Sequence, residues 1–462
     1  MVFSSLIFLY LFLPAVILCY FLSPKFGKNF VLLAFSLFFY AWGGWKYLPV
    51  LLASVGCSFV FGWLLEGRGG TKQGKVLLIL SCVVSLGLLG IYKYTDFVIG
   101  SVNGLLGTSL PLAKLVLPIG ISFYTFQMLS YTIDVYRGSP AQHNFIDFAA
   151  YVTMFPQLIA GPIVRYDDVA LQLRQRRSTV DGCYDGAVRF MIGLGKKVLL
   201  ANNLALIGQE FRAVANPTVL YHWLYAVSFT LQIYFDFSGY SDMAIGLGKS
   251  FGFTFPENFN YPYISASITE FWRRWHMTLS TWFRDYVYIP LGGNRVSKLK
   301  NLRNIAVVWL LTGLWHGAGW NFILWGLLYA VLLMAEKLFL KKYLDKFPVL
   351  GHIYTLFFVI AGFVLFNAES LQQCGADLAG MFMGTGTDAL SLYALRNYGG
   401  LLLIGILCAC PLGKWIVTKL SGARWGAEVV SWGKMLLPPV ILLLCTAYLV
   451  DGSFNPFLYF RF

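Results

Sequence analysis

Apolar residues run through this chain in long blocks. They show neither the alternation of a half-buried strand nor the single stripe of a soluble amphipathic helix. Blocks approaching or exceeding the roughly 20 residues that a helix needs to cross a bilayer fall near 2–22, 29–48, 46–65, 76–95, 111–131, 145–163, 186–207, 219–238, 304–335, 351–368, 399–413 and 434–450. The second and third overlap at Trp42 to Tyr47. The block 304–335 is too long for one span, and Gly313, Gly317 and Gly319 divide it into two shorter helices meeting at His316. Such a break is tolerated at membrane depth where the backbone is buried in protein or lines a cavity. The pattern predicts an all-α polytopic membrane protein of about 11–13 membrane helices with re-entrant and interfacial helices. It forms one domain over residues 1–462, with its chemistry in 231–335. Residues 1–22 lack a basic leading segment and read as a retained first span rather than a signal peptide.

Composition supports this reading. The 462 residues are 58% hydrophobic and only 12% charged, against about a quarter charged in soluble domains. The net charge of +14 would raise the question of nucleic acid in a soluble protein. Here the cations sit in short loops, where they set orientation in the membrane, with room for contacts to lipid head groups or a phosphorylated substrate. The basic loops, richest over Lys249 to Arg303, are placed inside. The loop Glu369 to Arg396, which has no lysine, is outside, and so is the N-terminus. The eight cysteines show no metal-like spacing and read as small buried hydrophobes.

Residues 231–295 differ from the rest. Asp236 and Asp242 lie in the first part; as a metal pair they would need more oxygen ligands than this stretch supplies, so they are expected to accept hydrogen bonds or pair with arginine. Pro256 and Pro262 then force an irregular loop through Glu257, Asn258 and Asn260. Ser267 and Glu270 form a capping box, and a helix is expected to run on to Tyr286. Trp272, Trp275, Leu279, Trp282 and Tyr286 recur on it at helical spacing as a packing stripe. Arg273, His276 and Ser280 share an adjacent face. Its arginines suit either anchoring at the membrane surface or holding ligand phosphates, and His276 suits either a structural or a chemical role. His316 is the sharper signal. Nothing charged lies between Arg303 and Glu336, and an intramembrane ionisable group such as this imidazole marks a functional site by default. His143, His222 and His352 read as interfacial.

Pro118-Ile119-Gly120-Ile121-Ser122-Phe123-Tyr124, Phe155 to Ile163, residues 234–295, Leu314-Trp315-His316-Gly317 and the tail Asn455 to Phe460 together resemble the membrane-bound O-acyltransferase family. The closest likeness is to its alginate and peptidoglycan O-acetylation type, carried by Phe271 to His276 running into Tyr288 to Arg295. The resemblance implies a ring of helices around a thinned centre, with His316 at the narrow point and His276 as a second family histidine. It also implies acetyl transfer from cytoplasmic acetyl-CoA towards an extracytoplasmic polysaccharide, completed by a separate SGNH-type transferase, in a bacterial inner membrane. No resident cofactor or metal is implied. On this reading His316 takes the acceptor's proton and His276 positions or polarises the thioester. Arg273, Arg274 and Arg284 hold the donor's phosphates, and Trp272, Trp315, Asn321 and Asn258 line the site. Competing readings are a D-alanyl transferase of the teichoic acid type, a transporter or flippase, and a scaffold that docks an extracellular enzyme.

Overall fold

Proline and glycine decide how the apolar blocks divide into helices. The computed structural model describes residues 1–159, 161–423 and 425–452, with no strand among them. Ala160 and the tail motif Asn455 to Phe460 lie outside the described residues. Among the described residues, seven helical stretches are long and apolar enough to cross a membrane: Lys25–Leu65, Lys72–Leu106, Val180–Ala213, Trp320–Lys346, Pro348–Asn367, Ala389–Ala409 and Gly426–Asp451. The overlap foreseen near Trp42 is a tight turn at Trp45–Tyr47 that joins two helices within the first stretch.

Four blocks expected to span are not among these seven: 2–22, which is helical over Phe8–Leu22, 219–238, which lies within the longer helix Val219–Ser250, and 111–131 and 145–163. Block 111–131 becomes helical only over Ile121–Arg137. Pro111 and Pro118 each remove an amide donor and disfavour a helical residue before them, and Gly120 turns at φ +74°. Block 145–163 divides into Phe145–Thr153 and Phe155–Leu158. A Cβ on Gly120 would collide with the Leu158 carbonyl, so these two motifs meet in one glycine-dependent junction.

The helices gather into two units, Met1–Phe190 with Met243–Pro256, and Met191–Asp242 with Glu257–Phe462. The first has a core of rings, Phe3, Phe8, Phe12, Phe39 and Phe155, and Tyr20 Oη donates to the Phe251 carbonyl at 2.6 Å.

The second unit contains the sequence-predicted hairpin. Lys298–His316 and Trp320–Ala335 form its arms, with His316 ending the first. The arms cross at Gly313 and Gly326: a Cβ on Gly313 would strike the Phe322 carbonyl, and one on Gly326 the Trp309 carbonyl. In the same unit Asp236 pairs with Lys197 at 2.6 Å and Asp242 with Lys196 at 2.7 Å. The partners are thus lysines, not the expected arginines. The eight cysteines are free thiols; Cys374 and Cys445 are buried, but Cys19, Cys57 and Cys408 are exposed, on helices whose outer faces suit lipid.

Candidate active site

The helix expected from Ser267 to Tyr286 is broken at its centre. Ile268–Arg274 and Met277–Phe283 are separate short helices. Between them His276 adopts a left-handed backbone at φ +44°, which is costly for a residue with a Cβ and persists only where its surroundings enforce it. The proline-bounded loop does so. Asn260 N–H donates to the Arg274 carbonyl and Met277 N–H to the Asn258 carbonyl, each at 2.9 Å, so two loop residues clasp the break from either side. Ser280 Oγ donates to the Trp272 carbonyl at 3.2 Å across it.

Asn258 also sets the chemistry of the histidine. Its Oδ1 accepts from Thr278 Oγ1 at 2.9 Å and from Thr278 N–H at 3.4 Å, and its Nδ2 donates to Ser241 Oγ at 3.0 Å. The Thr278 amide can only donate, which fixes the oxygen's position. His276 Nδ1, 3.0 Å from that oxygen, therefore carries the proton, and Nε2 is left as a bare acceptor. The ring packs on Phe237 at 4.7 Å. Burial, with His316 nearby as a lesser cause, holds its pKa well below the ordinary imidazole value. A neutral ring protonated at Nδ1 cannot donate from Nε2, which excludes the expected polarising of a carbonyl through that atom and leaves positioning.

The helix that leads into His276 is pinned from the hairpin. Ser267 Oγ accepts from Glu270 N–H at 3.1 Å, one half of the expected capping box; the Glu270 carboxylate accepts from Ala266 N–H at 3.0 Å instead of from Ser267 N–H. Beyond it, the buried carboxylate of Glu336 accepts from Ile268 N–H at 2.6 Å, Thr269 N–H at 2.9 Å and Thr269 Oγ1 at 2.5 Å. A carboxylate at a helix N-terminus meets both its orphan donors and its dipole. Glu336 follows the second hairpin arm, so one side chain ties the hairpin to the segment carrying His276.

A cavity of about 220 Å³ is lined by Trp272, Arg273, His276, Leu279, Ser280, Phe283, Arg284, Tyr288, Val308, Trp309, Thr312 and Leu333. Arg273 and Arg284 are exposed and His276 is buried, so the cavity runs from cations to imidazole. Tyr288 on its wall is held by Asn301 Nδ2 and donates to Asn294 Oδ1, both at 2.7 Å. Trp272, Arg273, Arg284 and His276 thus share the space. Arg274 is not in the lining; it bonds Glu270 at 2.9 Å and the Asn260 carbonyl at 3.2 Å. Neither is Asn321, whose Nδ2 donates to the Phe366 and Ala368 carbonyls at 3.1 and 3.0 Å and fastens the hairpin tip to the end of Pro348–Asn367. Asn258 orients His276 rather than lining the cavity. Trp315 also stands outside the lining and contacts both imidazoles, with ring centroids 5.9 Å from His276 and 5.0 Å from His316. His316 is enclosed further by Trp325 at 5.0 Å and Phe366 at 5.2 Å and is buried, with 6% exposure.

Residues 108–375 match the membrane-bound O-acyltransferase family, a segment that includes every residue of this site. The chain belongs to that family. Among its relatives, the probable alginate O-acetylase AlgI of Azotobacter vinelandii is 40% identical, with all of both chains covered. The peptidoglycan O-acetyltransferase of Helicobacter pylori is 33% identical over all of this chain and 98% of its own. The teichoic acid D-alanyltransferase of Bacillus subtilis is 31% identical, but over only 57% of this chain and 72% of its own. The protein is a multi-pass membrane enzyme, an O-acyltransferase of the acetylating type.

Within that frame, the sequence drew attention to both histidines and to the cavity's arginines. It gave no signal for Glu336, which read only as the charge closing an apolar block, or for Trp309 and Thr312, which read as ordinary span. A carboxylate just past a predicted hairpin is a signal that could have been followed.

Proposed function

We propose that the enzyme takes an acetyl group from acetyl-CoA on the cytoplasmic side and passes it towards a hydroxyl reached from the other face. The acetyl is destined for an extracytoplasmic polysaccharide and is handed over with an SGNH-type partner. The full-length likeness to enzymes named for alginate and peptidoglycan O-acetylation supports acetyl over D-alanyl, since the D-alanyl relatives align with much less of the chain. The basic loops assign the arginine-bearing end to the inside of a bacterial inner membrane, and the N-terminus to the outside.

The observation that carries this reading is the cavity itself, with exposed arginines at one end and a neutral, oriented imidazole at the other. Arg273 and Arg284 suit the donor's phosphates. The volume is smaller than the roughly 300–1,000 Å³ of sites that enclose a drug-sized ligand, which suits the reacting end of the donor and leaves its nucleotide outside. Acyl transfer needs a group to take the hydroxyl proton. We assign that to His316, at the hairpin tip, beside the Trp315 ring that also contacts His276, while His276 holds the thioester end.

The test is reconstitution in vesicles with the partner and polysaccharide. Labelled acetyl-CoA supplied on the side of Arg273 should place alkali-labile acetate on the polysaccharide. Transfer from a D-alanyl carrier protein, with none from acetyl-CoA, would contradict the donor assignment.

A further inference from the structure

Most polar side chains on the cavity wall are satisfied within the protein. Thr312 Oγ1 donates to the Val308 carbonyl at 2.8 Å, Ser280 Oγ is bonded to Trp272, Tyr288 to Asn294, and Arg284 to Asp285 at 2.7 Å. Among the described residues, two that line the cavity each carry a buried polar atom with no hydrogen-bond partner: Nε1 of Trp272 and Nε2 of His276. One is a donor only. The other is an acceptor, because Asn258 has fixed the proton on Nδ1. Trp272 is 8% exposed and His276 1%. Buried polar groups are normally paired, and an orphan calls for an explanation. The indole cannot turn away to find a partner. Edge-to-face contacts to Trp309 at 4.6 Å, Tyr329 at 4.8 Å and Trp325 at 5.4 Å hold its plane. Trp309 and Trp325 are themselves fixed by the hairpin crossing at Gly313 and Gly326.

We propose that these two atoms form a two-point clamp for the acyl-thioester end of a pantetheine arm. Trp272 Nε1–H meets the thioester carbonyl oxygen, and His276 Nε2 accepts from the amide N–H of the cysteamine unit. The proposal rests on the donor-cavity reading above and adds to it the chemistry of recognition. That end of the arm presents one acceptor and, a few bonds away, one donor. The wall presents their complements.

The two contacts have different kinetic consequences. As the hydroxyl oxygen bonds to the carbonyl carbon, His316 takes its proton and the carbonyl electron pair moves onto oxygen, against Trp272 Nε1–H. Collapse re-forms the carbonyl and breaks the carbon–sulfur bond, and the thiolate takes the proton back from His316. The Trp272 hydrogen bond strengthens as charge develops, so it acts on kcat. The His276 bond to the amide is the same before and during reaction, so it acts on KM.

Three substitutions and one analogue test this in the full-length protein. Trp272→Phe removes the N–H, and replacing Trp272 by 3-benzothienylalanine removes it while keeping the ring's shape. Both should lower kcat about 100-fold with donor KM within about threefold. The analogue is acetyl-CoA in which oxygen replaces the cysteamine amide N–H. Wild type should bind it about tenfold more weakly than acetyl-CoA, whereas His276→Ala should not discriminate. A benzothienylalanine enzyme with wild-type kcat, or a His276→Ala enzyme that still discriminates tenfold, overturns the clamp. An acyl carrier protein ends in the same arm. If wild type used D-alanyl carrier protein and not acetyl-CoA, with the same kcat and KM pattern, the acetyl-CoA reading would fall and the clamp would stand.

Discussion

His276 owes its tautomer to Asn258. The two are 18 residues apart, and the sequence marked Asn258 as a loop residue lining the site, not as the partner of His276. Which side chain that loop would meet depended on the left-handed turn at His276, and no local pattern announces such a turn. Asn321 and Arg274 failed the other way. They are close to the histidines in sequence, yet helical direction aims them at backbone carbonyls and at Glu270. His316 and His276 were legible because an ionisable group in apolar surroundings is conspicuous whatever the fold. The lowered pKa of His276 has a definite sign. The unfolded chain binds a proton below about pH 6.5 that the folded ring refuses, so this group's stabilising contribution is full above that pH and declines below it. Asn258→Asp reverses the setting, because a carboxylate beside Nδ1 favours the imidazolium, which has no acceptor at Nε2. In a pH profile of the variant, donor KM should rise about tenfold from pH 8 to pH 6. Wild type should change by less than about threefold. Parallel profiles would show that Asn258 does not control the ring.

At the scale of elements, the site is two pieces of helix held by a third. The N-cap at Ser267 was readable because capping is local, although the Glu270 carboxylate accepts from Ala266 N–H rather than closing a full capping box. The break after Arg274 was not, since Trp272, Trp275, Leu279 and Trp282 keep helical spacing straight through it. Pairing of the loop 258–260 with the break overrides that local preference. Glu336 supplies the coupling between the hairpin and the broken helix. Glu336→Ala leaves the Ile268 and Thr269 donors buried without an acceptor, each at a cost of about 1–3 kcal/mol. A stability loss of about 3 kcal/mol is expected, read as a lower melting temperature in detergent together with a higher donor KM. An unchanged melting temperature would mean that the cap does not hold the helix.

Across the whole molecule, fold class followed from block length and composition, because a bilayer forces helices on any long apolar chain. Hydropathy counts residues and does not register irregular backbone, so 111–131 and 145–163 were read as spans where Pro118, Gly120 and Pro156 impose short helices. The hairpin at 304–335 was legible because its glycines fall where two backbones must touch. Acetyl transfer through such a chain depends on one proton being taken at His316 from a hydroxyl that arrives from outside. The most direct test is single-turnover acetyl transfer by purified His316→Ala and wild type, with folding of both checked by thermal melting. Loss of a general base predicts a rate reduced about 10²–10⁴-fold in a folded variant. A folded His316→Ala enzyme transferring acetyl within about threefold of the wild-type rate would contradict that role.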